Sequence, residues 1–295
     1  MGRSSRVRVE VFADIHADVG EAPHWDGRTK TLLFVDLTAG TVFRYDRSGA
    51  ELGSFPVGQE VGAAVPRHAG GLVLAVRDGI ATVSDTGEGF ELTSPVERDI
   101  RGNRMNDAKC DPAGRLFAGT TASDFSPHSA ALYRVEPDWS FEPIVRDATQ
   151  SNGIAWSPDG SRMYFIDSAT QGVDVFDFDV GTGLAGNRRR LVTIERARGV
   201  PDGMTTDSRG NLWVACFGGA AVRCYSSAGV LLDEVLFPVA QVTSCAFGGS
   251  DLADLYVTSA AYRLSADQLK IEPHAGATFV CRPGAAGLPA SSFAG

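Results

Sequence analysis

Apolar residues in this chain come in short bursts. Leu32-Leu33-Phe34-Val35, Leu116-Phe117-Ala118-Gly119, Met163-Tyr164-Phe165-Ile166 and Leu212-Trp213-Val214-Ala215 are rich in β-branched and aromatic residues, and clusters of Gly, Pro, Asp and Ser separate them. Segments of this kind are strands bounded by tight turns. No stretch sustains apolar spacing at the helical period, which argues against an α/β fold.

The strands recur in a frame. Its clearest copies run from Asn106 to Gly119, from Asn152 through Gly160 into Met163–Ile166, and from Asp202 through Asp207-Ser208-Arg209-Gly210 into Leu212–Ala215. Glu21-Ala22-Pro23-His24-Trp25-Asp26-Gly27 leads into another copy, a degenerate one spans Gly62 to Val76, and a sixth starts near Thr243-Ser244-Cys245. Third strands follow at Thr41–Tyr45, Ala131–Val135, Gly172–Phe176 and Ala277–Val280. Repeats of roughly 40–50 residues, each giving three or four strands, mark propeller blades. The prediction is an all-β, six-bladed β-propeller forming one domain over residues 1–295, with a sandwich or barrel of similar strand count as the alternative. Val7–Val11 alternates without a repeat of its own, so it is expected to close the ring as an outer strand of the last blade, protecting a sheet edge.

Composition narrows the partners. A net charge of −9, with basic residues scattered apart from Arg188–Arg190, speaks against nucleic acid. Met1–Ile15 never builds the apolar run of a signal peptide or membrane span, so a cytoplasmic protein without membrane contact is expected. Arg6 stands where acylation of Gly2 would need Ser or Thr. Five cysteines, odd in number and without a CxxC pair, are expected as small buried apolar residues.

One phase of the repeat is polar. Four residues before Trp25, Cys110, Trp156 and Thr206 stand Glu21, Asn106, Asn152 and Asp202, whereas Val61 and Thr243 hold that phase in the other copies. The innermost strand of each blade lines the central channel, so these four side chains are expected to share one small space. Carboxylates and amide carbonyls together form a hard-oxygen set suited to Ca²⁺, Mg²⁺ or Mn²⁺ and tolerable to Zn²⁺. Asn152-Gly153 and Asp202-Gly203 also read as plain turn dipeptides, a reading that does not extend to Glu21-Ala22 or Asn106-Asp107. GxSxG, HExxH, Walker and GxGxxG motifs are absent. His16, His68 and His274 read as loop residues, and His24 and His128 as neighbours of the channel mouth. Asp174, Asp177, Asp179 and the Arg188–Arg190 run read as solvated faces.

Several of these segments together resemble the senescence marker protein-30, gluconolactonase and luciferin-regenerating enzyme family. They are Gly20–Trp25, Arg104–Arg115, Ser151–Trp156, Ile166–Ser168, Asn187–Arg189, Pro201–Met204, Leu212–Ala215 and Thr243–Gly249. The resemblance spans nearly the whole chain and implies a six-bladed propeller with one divalent cation (Ca, Zn, Mn or Mg) on Glu21, Asn152 and Asp202. It further implies that Arg104 and Asn106 face a sugar lactone, with Asp124 placed as a second substrate-contacting carboxylate and Asp202 as general base. Hydrolysis of aldono-1,4- or 1,5-lactones to aldonic acids is the implied reaction. A non-catalytic calcium-binding or regulatory protein, or an organophosphate or aryl-ester hydrolase, are the alternatives. Two departures stand out: the family's Gly-Glu-Gly-Pro reads Gly20-Glu21-Ala22-Pro23, and the Thr121–Ser129 loop is this chain's own.

Overall fold

Six antiparallel four-stranded sheets follow one another along a computed structural model that describes residues 7–295. Gly2 and Arg6, on which the acylation argument rests, lie outside the described residues. The innermost strands are Gly20–Asp26, Val61–Pro66, Asn103–Cys110, Ser151–Trp156, Val200–Thr206 and Val242–Gly248. They carry the six repeat copies in the predicted order, and the fold is the expected six-bladed propeller.

Closure of the ring uses the N-terminus. Val9–Ala13 pairs on the outside of Thr278–Cys281, so the last blade joins the two ends of the chain through the register Val9↔Cys281, Glu10↔Val280 and Val11↔Phe279. The expected outer strand is therefore present, two residues further along than the alternation suggested. Its pairing covers an edge that would otherwise offer unpaired backbone groups.

Between blades, apolar faces meet. Trp25 of the first blade stacks on Tyr256 of the last with ring centroids 5.7 Å apart. Phe117 meets Trp156 edge-on at 5.2 Å between the third and fourth blades, and Trp213 meets Phe247 at 5.7 Å between the fifth and sixth. Such pairs add about 0.5–1.5 kcal/mol each beyond the area they bury. All five cysteines are buried and free, as expected.

The turn residues of the repeat have a clear task. Asp111 Oδ1 accepts from the backbone N–H of Ala113 and of Arg115, both at 2.9 Å, and Asp207 does the same for Arg209 and Asn211. A short side-chain acceptor thereby substitutes for a backbone carbonyl and fixes the hairpin between the first and second strands.

Each innermost strand also carries a bulge. Two residues on it face one on its neighbour between Met105 and Ala108, Ser151 and Ile154, and Pro201 and Met204, which leaves Asn106, Asn152 and Asp202 out of the ladder. In the first blade the skip falls between Glu21 and His24, immediately after Glu21. An extra residue bends the strand and re-aims its side chain, here toward the channel axis. Asn152-Gly153 and Asp202-Gly203 thus lie inside strands, and the turn reading of them is corrected. Their glycines serve close packing instead, since a Cβ on Gly203 would fall 2.1 Å from Ser244 Oγ of the next blade.

Two other expectations change. Ala266–Ile271 is a short helix with a Ser265/Gln268 capping box, too brief to leave a periodic signal. Asp174 is buried rather than solvated, because Arg188 and Arg190 on the neighbouring strand each hold one of its oxygens at 2.8 Å.

Candidate active site

Glu21, Asn106, Asn152 and Asp202 meet at one end of the channel, around a cavity of about 320 Å³ that Arg104 and Thr243 also line. The four oxygen-bearing side chains are nearly enclosed, with 1–8% exposure, yet the cavity is partly open, with the exposed Phe125 and the half-buried Tyr262 in its lining. Five of the six residues expected to form the site are therefore together. Asp124 is not: it stands exposed, its neighbours Ser123 and Phe125 line the cavity, and its own carboxylate accepts from Ser126 N–H at 3.0 Å.

A directed set of hydrogen bonds runs across three blades. Arg104 Nη1 donates to Asn106 Oδ1 at 2.7 Å and to the Met105 carbonyl at 2.9 Å. Asn106 Nδ2 donates to Asn152 Oδ1 at 2.8 Å and to the Ser151 carbonyl at 2.9 Å. Asn152 Nδ2 donates to Ser168 Oγ at 2.8 Å, and that hydroxyl donates to the Pro201 carbonyl, one residue before Asp202, at 2.7 Å.

Negative charge is crowded here. Burial pushes Glu21 up to about 8, with Asp107 adding to the rise, while the Ala22 amide at 2.9 Å and Arg104 pull it down. Asp202 is raised well above the carboxylate range by burial, then by Glu21 and Asp107, against the pull of Arg104. Asp107, itself buried, is raised by desolvation. Burial lowers Arg104, and Glu60, whose carboxylate lies 4.0 Å from its Nε, acts the other way. Ala22 adopts φ +46°, a conformation in which the family's glycine is unstrained.

The donor set fits a divalent cation. Two buried carboxylates with too little positive charge nearby, flanked by an amide oxygen with a spare lone pair, are what a hard cation neutralises. No three His, Cys, Asp or Glu side chains among the described residues are arranged to hold a metal by themselves, so a cation here would need amide oxygen as well as carboxylate. Ser168, Glu60, Tyr262 and Asp107 are participants that the repeat phase does not single out. Of these, only Ser168 and Asp107 leave a trace in the sequence, inside motif segments whose other residues carry the argument.

Fold and site together define a class: a six-bladed propeller whose channel holds buried oxygen donors and an arginine under an open mouth. The chain matches the SMP-30/Gluconolactonase/LRE-like region over residues 19–261 and belongs to that family. Regucalcin of Danio rerio is 41% identical over 299 residues, covering 99% of this chain and 100% of that protein. A luciferin-regenerating enzyme of known structure is 36% identical, with a TM-score of 0.91 and coverage of 98% and 99% of the two chains. A calcium-binding regucalcin from Agrobacterium tumefaciens is 25% identical, with a TM-score of 0.93 and 98% of each chain covered. No helix among the described residues is long and apolar enough to cross a membrane.

Proposed function

We propose that this protein is a metal-dependent lactonase that opens aldono-1,4- or 1,5-lactones to aldonic acids, with one divalent cation on Glu21, Asn152 and Asp202. The observation that supports it is the combination of Arg104, bonded to Asn106, with two buried carboxylates in a cavity that remains open. A purely structural ion needs neither an arginine nor an open face.

A cation bound there would polarise the lactone carbonyl as a Lewis acid and favour the ionised forms of Glu21 and Asp202. Arg104 directs donors toward ring and hydroxyl oxygens and, cationic at any working pH, is not a ligand. Asn106, held by Arg104 and holding Asn152, fixes the floor against which the substrate rests. Asp202 takes a proton from the attacking water as the new C–O bond forms, and that proton passes to the ring oxygen as the old C–O bond breaks. Water and lactone are thus fully accounted for in one hydroxy acid, without a covalent intermediate.

A calcium-binding role without catalysis is the second reading, favoured by the likeness to the calcium-binding regucalcin of Agrobacterium tumefaciens. The test is a panel of aldonolactones, a phosphotriester and an aryl ester, assayed with chelated protein and with Ca²⁺, Zn²⁺, Mn²⁺ or Mg²⁺ restored. Lactone turnover that disappears on chelation and returns with a cation is expected. Full activity in protein shown to be metal-free would end the cation reading, and cation binding without turnover would leave the regulatory one.

A further inference from the structure

The channel has a second chamber at its other end. Three residues beyond the site phase, His24, Lys109, Ala155, Thr205 and Ala246 line a separate cavity of about 290 Å³. At the rise of a strand this is roughly 10 Å further along the channel. The two chambers differ in sign: Glu21, Glu60 and Asp202 line the upper one, whereas Lys109 and His24 line the lower, and no carboxylate does.

Both polar groups have capacity to spare. Lys109 Nζ spends one donor on the Met204 carbonyl at 2.6 Å, leaving two of its three. His24 is 8% exposed, and its ring nitrogens have no hydrogen-bond partner among the described residues. Burial lowers it to about 4, against a smaller upward pull from Asp26, so near neutrality the ring is uncharged and offers one N–H donor. The walls around these donors are flat and apolar, with Trp25, Trp156 and Phe247 among them.

A roof completes the chamber. The C-terminal tail is pinned on one side by Gly287 N–H to the Leu252 carbonyl at 2.8 Å, and on the other by Phe293. The Phe293 N–H donates to the Pro66 carbonyl at 2.9 Å, and its ring is wholly buried against Trp139. Between these anchors, Leu288–Ser291 borders the cavity and makes no backbone hydrogen bond to a blade among the described residues.

We propose that this lower chamber binds a small organic anion, a carboxylate on a flat apolar body, with Lys109 and His24 holding the carboxylate and Trp25 and Trp156 flanking the body. Charge selects the head group, since the lining supplies a cation and a neutral donor and no acid. The aromatic walls select the body. The site stands apart from the lactonase reading and does not depend on it.

Benzoate is the probe, titrated into the whole protein by calorimetry and followed on the imidazole signal of His24, assigned by its loss in His24→Gln. Saturable binding that moves the His24 signal is expected, with neutral benzamide and the Lys109→Met variant each weaker by about tenfold or more, the loss of one charge-assisted hydrogen bond. Glu21→Gln, at the other chamber, leaves benzoate affinity as it is. The proposal falls if benzoate leaves the His24 signal of the unmodified protein in place, if Lys109→Met binds it equally well, or if Glu21→Gln abolishes binding. The measurement on the unmodified protein decides the matter even where a variant does not fold.

Discussion

Asn106 Nδ2 donates to Asn152 Oδ1 at 2.8 Å, and this one bond settles the facing of both amides. Asn106 then has only its oxygen left to accept from Arg104, and Asn152 only its nitrogen left to donate to Ser168. Turning either amide would set donor against donor. The oxygen of Asn152 keeps one lone pair unspent, so the arginine that would meet substrate and the amide that would meet a cation are held by the same row of bonds.

Ser168 anchors the far end of that row, and it is expected to matter for the cation more than for the fold. In Ser168→Ala, the Asn152 nitrogen loses its acceptor and the Pro201 carbonyl its donor. Cation affinity measured by calorimetry should fall by about 10–100-fold, the usual effect of an outer partner of a ligand. Thermal stability without metal should fall by only about 1–2 kcal/mol, and Ser168→Thr, which keeps the hydroxyl, should recover much of the affinity. Unchanged affinity in Ser168→Ala would remove the hydroxyl from the account of the site.

Close approach of neighbouring blades gives a sharper stability test. A Cβ on Gly62 would lie 1.9 Å from the Asn106 carbonyl oxygen and 2.6 Å from its carbon, both backbone atoms in the next blade. Gly53, on an outer strand, has nothing within 4 Å of the same position. Gly62→Ala is expected to lower stability by about 1–3 kcal/mol or more, as overpacking does, and Gly53→Ala to change it by about 0.5 kcal/mol or less. Chemical denaturation of the two variants side by side is the check. Equal stability would mean that the inner strands have slack and that the site frame is looser than these distances imply.

The frame itself was legible because the channel imposes one phase on every blade. Glu21, Asn106, Asn152 and Asp202 could be aligned on Trp25, Cys110, Trp156 and Thr206 without knowing the pairing of any strand, and a closed ring brings one phase to one place. Contacts made across phases were not legible. Ser168 reaches Asn152 from the end of the neighbouring strand, Glu60 precedes the phase by one residue, and Tyr262 arrives on an insertion within the last blade that has no counterpart in the repeat. The bulges that take Asn106, Asn152 and Asp202 out of the ladder leave no composition signal, since an extra residue is visible only against its partner strand. Asp124, carried over by resemblance, stands in a loop whose Ser123 and Phe125 reach the mouth, and its carboxylate accepts from Ser126 in a local turn.

His24 predicts a pH effect on stability. Its proton affinity is lowered from the ordinary 6.5 to about 4 in the folded chain, so below 6.5 the unfolded chain takes up a proton that the folded one refuses. Stability from this residue is complete above 6.5 and is lost as the pH falls through 4, amounting to about 3 kcal/mol at most. Glu21, raised from 4.5 to about 8, works in the opposite direction, because the unfolded chain gives up its proton first as the pH rises. The two effects overlap, so the test is a difference: unfolding of the original protein and of His24→Gln from pH 7 to pH 4. The variant should lose less stability over that interval, and parallel curves would show that the imidazole protonates freely inside the fold.

Asp202 is expected to serve as both ligand and base, and Asp202→Asn separates the two. An amide oxygen still coordinates a cation, but it does not take a proton from water. Burial, then the nearby Glu21 and Asp107, raise the Asp202 carboxyl well above its ordinary value, with only Arg104 pulling the other way. A cation held there would favour the ionised form, the form in which Asp202 can act as a base. Turnover of Asp202→Asn at saturating cation, with occupancy measured by elemental analysis, should be lower by about 10²–10⁴-fold, the usual contribution of a positioned general base. Arg104→Ala is the matched comparison: it should keep its cation and lose lactone turnover through poorer orientation of the substrate, with KM raised. Near-normal turnover of Asp202→Asn at full occupancy would confine Asp202 to holding the ion, and Asp107, a buried carboxylate close enough to raise both Glu21 and Asp202, would become the residue to test as base.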